Sequence, residues 1–330
     1  MSTIRIYSSI VVRSMTWKLI LSHSMSNNIS FTYSIDRDWG EPPDQDRFRE
    51  CAAVSVDSED NVWVFNIPTK ELLKFSSDGR LLDVWPEHFE NVHGIDFDKA
   101  GNIYIVDRNE HRVLKYTPGG SLVAQIGNKG QPSDTGYSLD KGRETNWRDP
   151  VERAAHPFNV PTGVRIARNG EIYVSNGYAN CRVHRFSVDG TLIQSWGQPG
   201  KSNPGEFHLV HGLYIDSLQR ILVCDRENDR VQIFDLYGDF LEIWKGFAKA
   251  SCIHEGPDNE YVVTEHLGRV SLLDRNGNII NRWGNGQENS SFPFPHGCAI
   301  DSKGNIYIGH VTKSGAPAGS GNRLVRLTRQ

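Results

Sequence analysis

Six segments of this chain align without gaps on one core. They are AAVSVDSEDNVWVF from Ala52, HGIDFDKAGNIYIV from His93, TGVRIARNGEIYVS from Thr162, HGLYIDSLQRILVC from His211, SCIHEGPDNEYVVT from Ser251 and HGCAIDSKGNIYIG from His296. In each copy an apolar-alternating stretch leads through a short turn to a second such stretch. The second opens ten positions after the first, at Val62, Ile103, Ile172, Ile221, Tyr261 and Ile306. A period of two is the mark of a half-buried strand. After the second copy the chain runs on as DRNEHRVLKYTPGGSLVAQIG, which adds a third strand, a glycine turn and a fourth strand. Four antiparallel strands recurring every ~40 residues is the signature of a propeller blade. The expected fold is therefore all-β, a six-bladed β-propeller.

The last copy ends at LVRLT without a fourth strand of its own. The stretch ISFTYSIDRDWG supplies one, its Trp39-Gly40 matching Trp196-Gly197 and Trp283-Gly284. An N-terminal strand completing blade six would zip the ring shut and remove its open edges. This places the propeller at residues 29–330 and leaves 1–28 as an extension outside it. That extension carries Arg5, Arg13 and Lys18, with no acidic residue before Asp36. It reads as an organellar transit peptide or as an over-extended start, with synthesis beginning at Met25.

Composition narrows the functional classes. The formal net charge of −4 offers no basic excess for a nucleic-acid partner. No apolar run reaches the ~18 residues of a membrane helix. The five cysteines are scattered without a CxxC pair, which fits reduced thiols and a cytoplasmic setting.

In a propeller the first strand of each blade lines the central channel, so equivalent positions form rings. The ring at the opening position reads Ala52, His93, Thr162, His211, Ser251, His296. Histidines occupy blades two, four and six, and small residues the blades between. Three neutral imidazoles converging on one level, with a coordination position left open, are the first shell of a catalytic metal site. Zinc suits such a set best, with Fe(II), Cu or Ni also compatible; a hydrogen-bonded histidine plug is the alternative.

The second strands end on Asn66, Asp107-Arg108, Asn176-Gly177-Tyr178, Asp225-Arg226, Glu265-His266 and His310. Arg108 and Arg226 are candidates to hold a substrate carboxylate, or else to form turn salt bridges. Tyr178 follows an Asn-Gly pair that can aim its ring over the channel. His111, His184 and His266 read as residues of outer strands and turns, and His310 as a turn residue. The stretch at 127–161 is too long for an ordinary blade connection; its Arg143, Trp147, Arg148 and Arg153 are candidates to enclose a substrate.

The blade motifs resemble NHL repeats across residues 29–330, a likeness specific for fold and poor for function. A closer resemblance lies in PFNVPTGVRIARNGEIYVSNGYANCRVHRFSVDGTLIQSWG, PGEFHLVHGLYID and CDRENDRVQIF. These stretches look like the peptidyl-α-hydroxyglycine α-amidating lyases, six-bladed propellers that use a three-histidine zinc site to cleave an N-acyl carbinolamine into an amide and glyoxylate. The resemblance implies that His93, His211 and His296 hold zinc, that Tyr178 is the catalytic tyrosine and that Arg226 is a catalytic arginine. It also has gaps. The family's blade-one arginine falls on Ile67, with Arg108 at the equivalent place in the next blade. The aspartate that helps bind the family's structural calcium falls on Gly297, and a half-cystine falls on Ala179. Calcium, disulfides and a secreted role are therefore not expected here.

The expected function is metal-dependent cleavage of a small, anionic substrate in the channel, with no membrane and no nucleic acid involved. A lyase acting on a carbinolamine and a hydrolase acting on an amide or ester both fit. A propeller that binds protein or RNA is the non-enzymatic alternative. A gluconolactonase-type calcium site is disfavoured, because calcium takes oxygen ligands.

Overall fold

The computed structural model describes residues 31–85, 89–137, 151–312 and 324–330. The extension at 1–28 lies outside the described residues, as do Arg143, Trp147 and Arg148. Six four-stranded antiparallel sheets are present among the described residues, matching the six copies. The innermost strands are Cys51–Val56, Val92–Phe97, Pro161–Ile166, Val210–Ile215, Ala250–Glu255 and Pro295–Ile300. The sixth sheet takes its outer strand from the N-terminal side, as expected. Tyr33–Asp36 pairs antiparallel with Val325–Arg329, with Tyr33 opposite Arg329 and Asp36 opposite Arg326.

The turn between the first two strands is set by its opening aspartate. In blade two, Asp98 Oδ1 accepts the backbone N–H groups of Ala100 (2.9 Å) and Asn102 (3.0 Å). Blade six repeats this with Asp301, Lys303 and Asn305. The core then forms as layers between consecutive blades. Trp63, Phe65, Ile95, Ile105 and Leu114 fill one such layer, and Val106, Phe158, Val164, Ile172 and Phe186 the next. Just past the closing strand stands Trp39, 3% exposed, whose ring meets Tyr307 at 4.9 Å and Phe75 at 5.7 Å. That ring therefore bridges the last and first blades.

Each innermost strand slips register at its opening residue. The shift falls between Val92 and Gly94, between Val210 and Gly212, and between Pro295 and Cys298. A bulge leaves its extra residue out of the ladder and re-aims that side chain. Here the residues re-aimed include the three histidines.

Candidate metal centre in the channel

The imidazoles of His93, His211 and His296 converge. Their ring centroids stand 4.8, 4.7 and 4.5 Å apart, and one ligand atom from each lies within 4.8 Å of the others. All three are buried. Each is oriented by a small-residue blade. His93 Nδ1 donates to Thr162 O (2.7 Å), His211 Nδ1 to Ser251 O (2.8 Å) and His296 Nδ1 to Ala52 O (2.9 Å). A carbonyl only accepts, so each Nδ1 carries the proton and each Nε2 keeps its lone pair. Three unprotonated nitrogens facing one point are what a metal ion requires, and partners on the far ring nitrogen fix the tautomer of metal-binding histidines. The residues present therefore fit a metal.

This arrangement explains why the histidines are followed by glycine. A Cβ at Gly212 would lie 2.7 Å from Ser251 O, and one at Gly297 would lie 2.7 Å from Ala52 O. At Gly94 it would lie 2.9 Å from Gly163 Cα and 3.1 Å from Thr162 O. The absent side chain lets the next blade's strand come close enough for its carbonyl to hold the ring. Gly212→Ala should therefore push Ser251 O away from His211 and weaken metal binding by about 10–100-fold, the usual cost of losing a ligand's orienting partner. Competition against a chromophoric chelator measures it; unchanged affinity would dissociate the glycine from the site.

Electrostatics keeps the imidazoles neutral. Burial, then His296, then Arg108 push His93 well below its ordinary value, and burial, His296 and His93 do so for His211. His296 falls to about 3, through burial first and then Arg226 and Arg108. Burial also takes His184 and His254 to about 3 and His310 to about 4. The unfolded chain gains these protons near pH ~6.5, while the folded chain does not until far lower. Stability is therefore lost as pH falls from about 6.5 toward these folded values. Each histidine contributes about 1.4 kcal/mol per pH unit across that window. Denaturant unfolding of metal-free protein at pH 7 and pH 5.5 checks the slope; a flat profile would show that these rings accept protons without unfolding.

Tyr178 reaches the same point from blade three. Its hydroxyl lies 2.9 Å from His211 Nε2 and 3.3 Å from His93 Nε2. Glycine precedes it because a Cβ at Gly177 would fall on the Val210 carbonyl. The Tyr178 ring is flanked by guanidinium groups, with Arg108 Cζ 4.0 Å and Arg226 Cζ 5.5 Å from its centroid. The turn salt bridges exist, but with other arginines. Asp107 pairs with Arg112 (3.0 Å) and Asp225 with Arg230 (2.7 Å). Arg226 is fully buried and pairs with Glu227 at 3.1 Å, which Lys249 also meets at 2.6 Å. Burial raises the Glu227 carboxyl, but Arg226 and Lys249 outweigh it and hold the group ionised. Ile67 offers no charge at the matching place in blade one and packs against the apolar layer there.

The other candidates fall elsewhere. His310 is buried, donates Nδ1–H to Pro293 O (2.8 Å) and stacks on Phe292. His111 and His184 are structural, the first accepting from Val160 N and the second bonded to Ser195 and Asn176. Arg153 forms surface ion pairs with Asp134 and Glu152, not a channel contact. His266 reads as an outer-strand or turn residue, yet its ring stands 6.3 Å from that of His296. The signal was its place one residue past the second strand, where Arg108 and Arg226 also stand.

The NHL repeat profile matches residues 158–186 and 207–234. The peptidyl-α-hydroxyglycine α-amidating lyase 1 of Drosophila melanogaster is 28% identical over 264 residues, 71% of this chain and 45% of its own length. The probable lyase of the same name from Caenorhabditis elegans is 32% identical over 149 residues, 44% of this chain and 37% of its own. The chain is a six-bladed propeller that carries two matches to the NHL repeat and is similar to the amidating lyases. It spans less than half the length of those two relatives. NHL repeat-containing protein 3 of Mus musculus is 28% identical, with 81% of this chain and 78% of its own covered. Among solved structures, a streptogramin B lyase superposes with a TM-score of 0.58 at 13% identity, covering 90% of this chain and 98% of its own. A putative gluconolactonase gives 0.60 at 14%, covering 90% and 92%. These two likenesses show the propeller fold.

Proposed function

We propose that this propeller is a zinc-dependent lyase acting on a small α-hydroxyglycine-type carbinolamine. The observation that carries the reading is the Tyr178 hydroxyl seated against His93 Nε2 and His211 Nε2 between two guanidinium groups. A carbinolamine bearing a carboxylate needs three things in one place: a site for its hydroxyl, a proton acceptor and a cation for its carboxylate. Zinc held by the three histidines would supply Lewis acidity toward the substrate hydroxyl. Tyr178 Oη, in its phenolate form, takes the proton of that hydroxyl, the C–N bond breaks as the C=O forms, and the same proton passes from Oη to the departing amide nitrogen. An N-acyl α-hydroxyglycine would thus yield an amide and glyoxylate, with no redox change and no second reactant. Arg108 and Arg226 anchor the carboxylate, Arg108 serving where blade one has Ile67. The positive surroundings favour an anionic substrate, since neutral histidine ligands leave the metal's charge uncompensated.

Incubation of the zinc-loaded protein with an N-acyl α-hydroxyglycine, with glyoxylate measured, tests this. Metal-dependent glyoxylate release is the expected result. Absence of glyoxylate, with cleavage of an amide or ester instead, would replace the lyase by a hydrolase on the same site.

A further inference from the structure

Below the histidines the channel wall encloses a cavity of about 40 Å³, lined by the three imidazoles and by Arg165, Cys252 and Leu213 among others. Resemblance to the amidating lyases would put a calcium ion in such a channel. The residues here do not fit one. Calcium takes six to eight oxygen ligands, carboxylates prominent among them. No carboxylate lines this cavity among the described residues. The position after the third histidine is Gly297, where even a Cβ would crowd Ala52 O at 2.7 Å.

Something else holds the backbone oxygens. Arg165, 9% exposed, donates from Nη1 to Val164 O (2.8 Å) and to Ile95 O (3.2 Å). It belongs to a second circle of residues, three positions past the opening ring, that touch from blade to blade. The guanidinium lies 5.4 Å over the Tyr214 ring, and Tyr214 in turn packs on His254 at 4.5 Å. On the other side, Asp96 Oδ2 accepts Ile166 N–H at 2.7 Å. Burial raises the Asp96 carboxyl and the Arg165 charge draws it back down. One side chain of blade three thus links the inner strands of blades two, three and four.

We propose that Arg165 is the channel's resident cation. Its guanidinium takes the carbonyl oxygens that a hard divalent ion would seek, and its charge repels such an ion from the same small cavity. On this reading the channel, among the described residues, has a place for a metal at the histidines and is held together beside them without calcium.

Two measurements test this, and neither reads turnover, so the result is separate from the lyase reading. In the first, untagged wild-type protein at constant zinc is dialysed with and without excess calcium. The expected result is no stoichiometric calcium by elemental analysis and the same melting temperature in both buffers. Calcium binding at one equivalent, or a melting temperature that rises with calcium, would overturn the proposal. In the second, Arg165→Ala leaves the two carbonyls without their donor, and the melting temperature should fall by about 5 °C or more. A wild-type melting temperature in Arg165→Ala would show that the guanidinium does not hold the floor. Arg165→Lys, which keeps the charge but not the fork, should fall between the two. The calcium measurement uses the wild type and decides the matter even where Arg165→Ala does not fold.

Discussion

Alanine in place of any one of His93, His211 or His296 should leave a folded propeller that no longer retains metal through purification. Two remaining imidazoles form an incomplete first shell, and the loss should exceed the ~10–100-fold that removal of a mere orienting partner costs. The fold should survive because the ring position already tolerates small residues in the alternate blades, where Ala52, Thr162 and Ser251 stand. The innermost strands keep their ladders whatever the side chain there, since the register shifts at that residue. Elemental analysis of untagged protein, with circular dichroism as the control for folding, gives the answer. Stoichiometric metal in all three variants would place the centre elsewhere.

Tyr178→Phe should lower turnover on a productive carbinolamine by ~10²-fold or more, the usual scale for a lost general acid–base group. The substitution removes only the oxygen that lies 2.9 Å from His211 Nε2 and 3.3 Å from His93 Nε2. The ring remains between Arg108 and Arg226, so metal content and melting temperature should match the wild type. A wild-type rate would reduce Tyr178 to a wall that spaces two guanidinium groups, and would move the proton acceptor elsewhere in the site.

The fold could be read from the chain because the repeat repeats its register. Once His93, His211 and His296 align, propeller geometry alone brings them to one level, and the matching of Trp39-Gly40 with the other Trp-Gly pairs locates the closing strand. Tyr178, Arg108 and Arg226 were legible as members of a second aligned position. What stayed hidden is non-local and specific to the folded chain. Nothing in the spacing says that Asp107 and Asp225 choose Arg112 and Arg230, so that Arg108 and Arg226 face Tyr178. Nor does it say that His266 turns toward His296. Arg165 sits at an alternation position that reads as solvent-facing, and only the neighbouring blades reveal it as a channel group. The glycine after each histidine was visible three times over, but its reason is the contact that the histidine makes with a carbonyl 40, 69 or 244 residues away.

The longest of those contacts bears on when the proposed metal centre becomes competent to take an ion. His296 is aimed by Ala52 O, across the seam that the strand Tyr33–Asp36 fastens. During synthesis the first two histidines leave the ribosome well before the third, and each meets its orienting carbonyl as the following blade forms. The third does not emerge until most of the chain has been made, and its partner has by then been waiting since the first blade. A complete coordination shell therefore exists only after the two ends of the ring have met. Metal retention by the proposed centre would thus record finished assembly, since a chain stalled or cut before its last blade is left with a pair of imidazoles.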